Sequence, residues 1–323
     1  MREKASPMHR LDRHARGAYL IAVTPFADDG SLDLASTDRM VDFYLERGAT
    51  GLTVLGIMGE ASKLTAEESR VFVRQVIARV NRAVPVVVGV SSPGFAPMRE
   101  LAMGVMELGA AGVMVAPAPK LRTDDQILAY FDMVNETLGP RLPWVLQDHP
   151  VSTGVQMATG LVLKILKNSP DCVMLKHEDS PGLAKLSAIR AAEARGDLQR
   201  VSILTGNGGG LFLPEELTRG ADGAMTGFAY PEMMVDVVKA HAHGDAERAH
   251  DLFDAYLALA RYEQQTGIGL AVRKHLMLQR GAIASATLRK PGPTLSAADI
   301  ADIDLLVRRQ ERRLRELGAH QAI

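Results

Sequence analysis

The stretch VMLKHEDS, residues 173–180, decides how this chain is read. Val173, Met174 and Leu175 have the unbroken apolar character of a strand covered on both faces. They run directly into Lys176, with His177, Glu178 and Asp179 behind it. Taking an ammonium out of water is costly unless it is paired or gives up its proton. Lys176 therefore either ends its strand at a rim, where its stem can snorkel to solvent, or its amine is placed there for chemistry.

Working outward, the same kind of run recurs. Apolar segments at 18–26, 51–57, 84–90, 111–117, 143–148, 172–176, 201–206 and 222–227 have strand length. Between them, and after the last, helical patterns occupy 34–48, 65–82, 96–109, 123–138, 157–168, 182–195, 209–219 and 232–243. The second of these opens on the capping box Thr65-x-x-Glu68. Strand-then-helix units repeated without a mid-chain break in composition predict an α/β fold, a closed (β/α)₈ TIM barrel over 16–245, rather than an open doubly wound sheet. Residues 246–323 are expected to add about three C-terminal helices packed on the barrel, and 1–15 to form a loose, flexible polar tail.

Bulk properties narrow the function. The 323 residues are 47% hydrophobic, enough for one large core. A formal charge of −1 gives no field to attract nucleic acid or an anionic membrane, so the expected partner is a small molecule or another copy of the chain. Cys172, the single cysteine, excludes an internal disulfide framework and fits a reducing cytoplasm. No apolar run approaches the roughly 20 residues of a membrane helix. The basic start, MREKASPMHRLDRHARGAYLIAVTPF, mimics a secretory signal but is expected to hold the first strand instead.

In such a barrel the strand C-termini converge on the active face. Lys176 ends strand six, and an amine among apolar neighbours tends to lose its proton and become a nucleophile toward a ketone. Asp148, His149, His177 and Glu178 cluster at the ends of strands five and six as acid–base candidates, and the sequence does not distribute the roles. Because His177 and Glu178 are adjacent, at least one must point away from the interior, and a structural salt bridge is expected of Glu178. The glycine-rich run 206–210 suits a phosphate, a tight turn or a close backbone approach.

LIAVTPFADDGSLDL (20–34), GIMGEASKLTAEE (56–68), LKHEDSPGLAKL (175–186) and LTGNGGGLFL (204–213) together resemble the 4-hydroxy-tetrahydrodipicolinate synthase and N-acetylneuraminate lyase superfamily. The resemblance implies that Lys176 forms a Schiff base with a 2-oxo acid. It also implies that Gly56, Ile57, Met58, Gly59 and Glu60 form the loop holding the acid's carboxylate. Backbone N–H groups in a glycine-bounded turn suit an anion, while Glu60 is expected to anchor its own loop. Gly206 and Thr226, at the ends of strands seven and eight, complete the expected substrate-binding set. Neither a cofactor nor a metal is expected, and the family implies a homotetramer built as a dimer of dimers.

Departures from the family pattern shape the expected reaction. Ile57 and Met58 stand where hydroxyl-bearing threonines are usual, and Gln147-Asp148-His149-Pro150 replaces Tyr-Asn-x-Pro. Ser152 takes the place of an arginine for a second carboxylate, and the tyrosine that crosses between subunits would fall near Pro119. VLQDHPVSTG (145–154), GAMTGFAYPE (223–232) and YEQQTGIGLAVRKHLMLQRGAI (262–283) resemble the 2-keto-3-deoxyarabonate dehydratase branch, which also carries Gln-Asp. The expected catalytic set is Lys176, Gln147, Asp148 and His149, with Gln147 as a partner for a substrate hydroxyl. Synthase or aldolase activity, a metal-dependent lyase using His149, Asp148, His177 and Glu178, and a non-catalytic 2-oxo-acid sensor are the alternatives.

Overall fold

The computed structural model describes residues 10–206 and 210–319. Eight parallel strands pair in chain order and close on themselves: β1 Gly17–Ile21, β2 Gly51–Val54, β3 Val86–Gly89, β4 Gly112–Val115, β5 Trp144–Asp148, β6 Cys172–His177, β7 Ser202–Thr205 and β8 Gly223–Ala224. Closure through Gly17↔Gly223 and Ala18↔Ala224 leaves no sheet edge. Every strand but β6 is shorter than the apolar run that predicted it, and β6 runs one residue further, through His177. After Ile21, for example, Ala22–Phe26 stay buried as connecting chain over the barrel top.

Helices α1 Leu34–Glu46, α2 Ala66–Val80, α3 Phe95–Leu108 and α4 Asp124–Leu138 follow the first four strands. The capping box of Thr65 with Glu68 forms as expected, and Thr123 with Gln126 makes a second. The four-residue α5 Pro150–Thr153, absent from the sequence reading, starts on a proline already shaped for a first helical turn. Then come α6 Thr159–Asn168, α7 Leu183–Ala194, α8 Leu213–Thr218 and α9 Glu232–Ala242.

Beyond the barrel lie the three expected helices, α10 Ala246–Glu263, α11 Gly269–Gln279 and α12 Ala297–Glu316. Helix α10 packs on α9, and α11 and α12 pack on α10. Among the described residues no helix is long and apolar enough to cross a membrane.

Apolar side chains form two layers. One fills the barrel with Tyr19, Ile21, Val87, Met114, Val145 and Met174, and the other fills the space between strands and helices. The expected loose tail is corrected from residue 10 onward, while 1–9 lie outside the described residues. Leu11 joins the interior layer at 4% exposure, and its N–H bonds Ala111 O at 2.9 Å. Arg13 and Ala15 bond Arg200 and Ser202. The N-terminal mouth of the barrel would otherwise expose its apolar filling, and burying one leucine there contributes about 1.5–3 kcal/mol.

Candidate active site

A register shift places the decisive side chains. Trp144 pairs with Cys172 but Val145 pairs with Met174, so Val173 is an extra residue in β6. Val173 and Met174 both pack toward the barrel interior, and alternation restarts from Met174. Lys176 therefore turns inward, His177 outward and Glu178 inward. Opposite them on β5, Gln147 faces in beside Lys176, and Asp148, beside His177, faces out.

Lys176 is 5% exposed, and its Nζ lies 3.2 Å from Oε1 of Glu178. Gln147 Nε2 donates to Oε2 of the same carboxylate at 2.7 Å. Glu178 fits because residue 206 is glycine: a Cβ there would lie 2.7 Å from Oε1 and 2.8 Å from Cγ. Thr226 Oγ1 donates to Gly206 O at 3.2 Å, tying the ends of β7 and β8 together. His149, at the N-terminus of α5, also lines this cavity of about 460 Å³, and its Nδ1 is buried without a partner among the described residues. Burial holds its imidazole below the ordinary range, with Glu178 partly opposing that effect.

After β2 the chain makes a 3₁₀ turn over Ile57–Gly59. Its first closed bonds run from Gly59 N–H to Gly56 O and from Glu60 N–H to Ile57 O, so the N–H groups of Ile57 and Met58 precede them. Both of those side chains line the cavity, whereas Gly56 and Gly59 bound the turn without lining it. The Glu60 carboxylate is engaged elsewhere, by Lys274 at 2.7 Å, Lys63 at 2.8 Å and Arg289 N–H at 3.1 Å. It anchors its own loop, tying it to the helical extension, and does not line the cavity with the rest of the expected substrate-binding set.

Asp148, expected in the catalytic set, requires correction, for it faces away from the cavity. Its Oδ2 is 2.7 Å from Lys185 Nζ on α7, and Lys185 also holds Asp179 at 2.6 Å and Met157 O at 2.5 Å. Burial, outweighing the neighbouring lysine, pushes the Asp148 carboxyl up to about 6. His177 sits on the same outer face with Nε2 2.9 Å from Gly182 O. The ligand set of the metal alternative is thus split between two sides of the sheet, and among the described residues no three His, Cys, Asp or Glu side chains converge on a metal-sized site. Of the glycine run, Asn207, Gly208 and Gly209 lie outside the described residues.

Two features escaped the sequence reading. The salt bridge expected of Glu178 forms with the Lys176 amine itself, inside the cavity, a partner that alternation outward from Lys176 would have shown. The cavity wall also includes Glu263, Gln264, Gln265, Thr266, Leu270 and Arg273 from α10, α11 and their connection. The only sequence signal for that wall was the resemblance carried by 262–283.

A buried amine at a strand C-terminus, a carboxylate beside it and an open turn of N–H groups across the cavity define the class: a (β/α)₈ lyase of the lysine-imine type. The chain belongs to the dihydrodipicolinate synthetase family, whose model matches residues 14–307. A solved dihydrodipicolinate synthase from Rhodopseudomonas palustris is 50% identical, covers 93% of this chain and 99% of its own, and superposes with a TM-score of 0.91. L-2-keto-3-deoxyarabonate dehydratase of Azospirillum brasilense is 29% identical over 96% of this chain and 97% of its own. YagE of Escherichia coli K12, solved in complex with pyruvate, is 25% identical over 92% of this chain and 98% of its own, with a TM-score of 0.83.

Proposed function

We propose that this enzyme removes water from a 2-keto-3-deoxy sugar acid of the 2-keto-3-deoxyarabonate type through an imine on Lys176. The observation that carries the proposal is the compact set Lys176–Glu178–Gln147, which supplies one nucleophile and one proton carrier and needs no tyrosine relay.

Glu178 takes a proton from the Lys176 ammonium, and the free amine adds to C2 of the oxo acid. The protonated carboxyl then helps the C2 oxygen leave as water, giving the iminium. The acid's carboxylate rests on the N–H groups of Ile57 and Met58. Glu178, again a carboxylate, removes a C3 proton, and the enamine expels the C4 hydroxyl as that proton is returned to it. Protonation at C3 and loss of a C5 proton move the double bond outward. Tautomerisation and hydrolysis then release 2-oxoglutarate semialdehyde and the lysine. His149, neutral at neutral pH, hydrogen-bonds the departing hydroxyl.

Ser152 lines the cavity as a short neutral group, which supports a reaction without a second carboxylate. Losing a charge-assisted contact removes about 1.5–3 kcal/mol of recognition. The name of the Rhodopseudomonas palustris relative favours a second reading, condensation of pyruvate with aspartate semialdehyde.

Product analysis with 2-keto-3-deoxyarabonate separates the possibilities. The semialdehyde is expected; pyruvate plus glycolaldehyde would establish cleavage instead. Rapid formation of the cyclic product from pyruvate and aspartate semialdehyde would overturn the dehydratase reading. For assembly, the family resemblance supports a homotetramer built as a dimer of dimers, and light scattering is expected to give four times the chain mass. A clean monomer at micromolar concentration would refute that without touching the chemistry.

A further inference from the structure

We infer that the cavity wall formed by α10, α11 and their connection reads the hydroxyl-bearing far end of the substrate, with Arg273 and Gln264 as its hydrogen-bond donors. This rests on the imine-lyase reading and adds which part of the chain selects the substrate.

Arg273 is 1% exposed, and two of its three nitrogens are occupied. Its Nε donates to Glu263 Oε1 at 2.6 Å, and its Nη2 donates to Gly227 O. Its Nη1 is buried with no acceptor among the described residues, and so is Nε2 of Gln264. Leaving a buried donor unmatched is costly, and substrate oxygens would remove that cost.

The surrounding backbone is shaped to admit these groups. At Gly227, which lines the cavity, a Cβ would lie 2.2 Å from Nη1. At Gly269 a Cβ would lie 2.1 Å from Glu263 O, and Gly269 N–H closes the connection on Gln265 O at 3.0 Å.

Charge selects the ligand class. The positive charge of Arg273 is already matched by Glu263, whose other oxygen accepts from Ala229 N–H at 3.0 Å. A second substrate carboxylate here would approach the buried Glu263 carboxylate and be repelled. Neutral hydroxyls satisfy the donors without that repulsion. The wall therefore suits a monocarboxylic 2-oxo acid with a polyol end over a dicarboxylic one.

The test compares Arg273→Lys, which keeps a cation for Glu263, and the milder Gln264→Ala. Pyruvate ends at C3 and carries no hydroxyl, so borohydride trapping of its imine is the reference. Each variant is expected to lower kcat/KM for 2-keto-3-deoxyarabonate about tenfold, mostly through KM, with the trapping rate retained. Equal losses in both assays would mean a structural role, and an unchanged kcat/KM in Gln264→Ala, which should fold in any case, would refute the donor role. Preference of the unaltered enzyme for a dicarboxylic 2-oxo acid would overturn the inference as well. Failure of pyruvate to trap the unaltered enzyme sinks the imine reading and this inference with it; trapping without discrimination by the variants sinks the inference alone.

Discussion

Borohydride added to the protein together with pyruvate is expected to leave one covalent adduct, located on Lys176, and Lys176→Ala is expected to show none. The amine is the only one that faces the cavity at the end of a strand among the described residues, and Glu178 at 3.2 Å gives its proton somewhere to go. Turnover of any 2-oxo acid by Lys176→Ala should fall by more than about 10⁴-fold, because the remaining groups cannot replace a lost covalent step. Intact-protein mass spectrometry followed by peptide mapping reads the result. An adduct on another lysine, or none at high pyruvate concentration, would end the imine mechanism and leave the sensor alternative standing.

The second large effect is expected at Glu178. Glu178→Gln keeps shape and the space left by Gly206 but removes the proton acceptor, so kcat should drop about 10²–10⁴-fold. Exchange of the C3 protons of pyruvate in deuterated water should fall in parallel, since that exchange reports the same proton transfer. His149 is the competing base. If exchange survives in Glu178→Gln and disappears in His149→Gln, the assignment passes to the imidazole. The pH profile offers an independent reading. Because burial disfavours the imidazolium, His149 stays neutral through the neutral range and gains its proton only on acidification below the ordinary histidine range. Any loss of activity on an acid limb that vanishes in His149→Gln therefore belongs to that residue.

Much of the architecture was written locally. Each β-strand of a closed parallel barrel is covered on both faces, so each announces itself as a short apolar run, and caps such as Thr65 with Glu68 mark the intervening helices from within a few residues. The place of Lys176 at the end of β6 followed from the same pattern.

Direction, by contrast, was settled only in three dimensions. Counting by twos from the outward-facing Cys172 would send Lys176 out of the barrel; the extra residue at Val173 reverses the phase and brings Lys176 and Glu178 inside together. A bulge reflects pairing between two strands and leaves no mark on one of them. The same pairing sends Asp148 to Lys185 on the outer face, where its carboxylate cannot reach the cavity. Leu11 and the Arg273–Glu263 wall also depend on segments far apart in the chain. The sequence by itself determined the barrel, its helices and the strand that carries the amine, because those follow from local periodicity and burial. Which of the candidate side chains turn into the cavity with that amine, and which turn away from it as Asp148 and His177 do, was decided by register, closure and long-range packing, which only the tertiary structure contains.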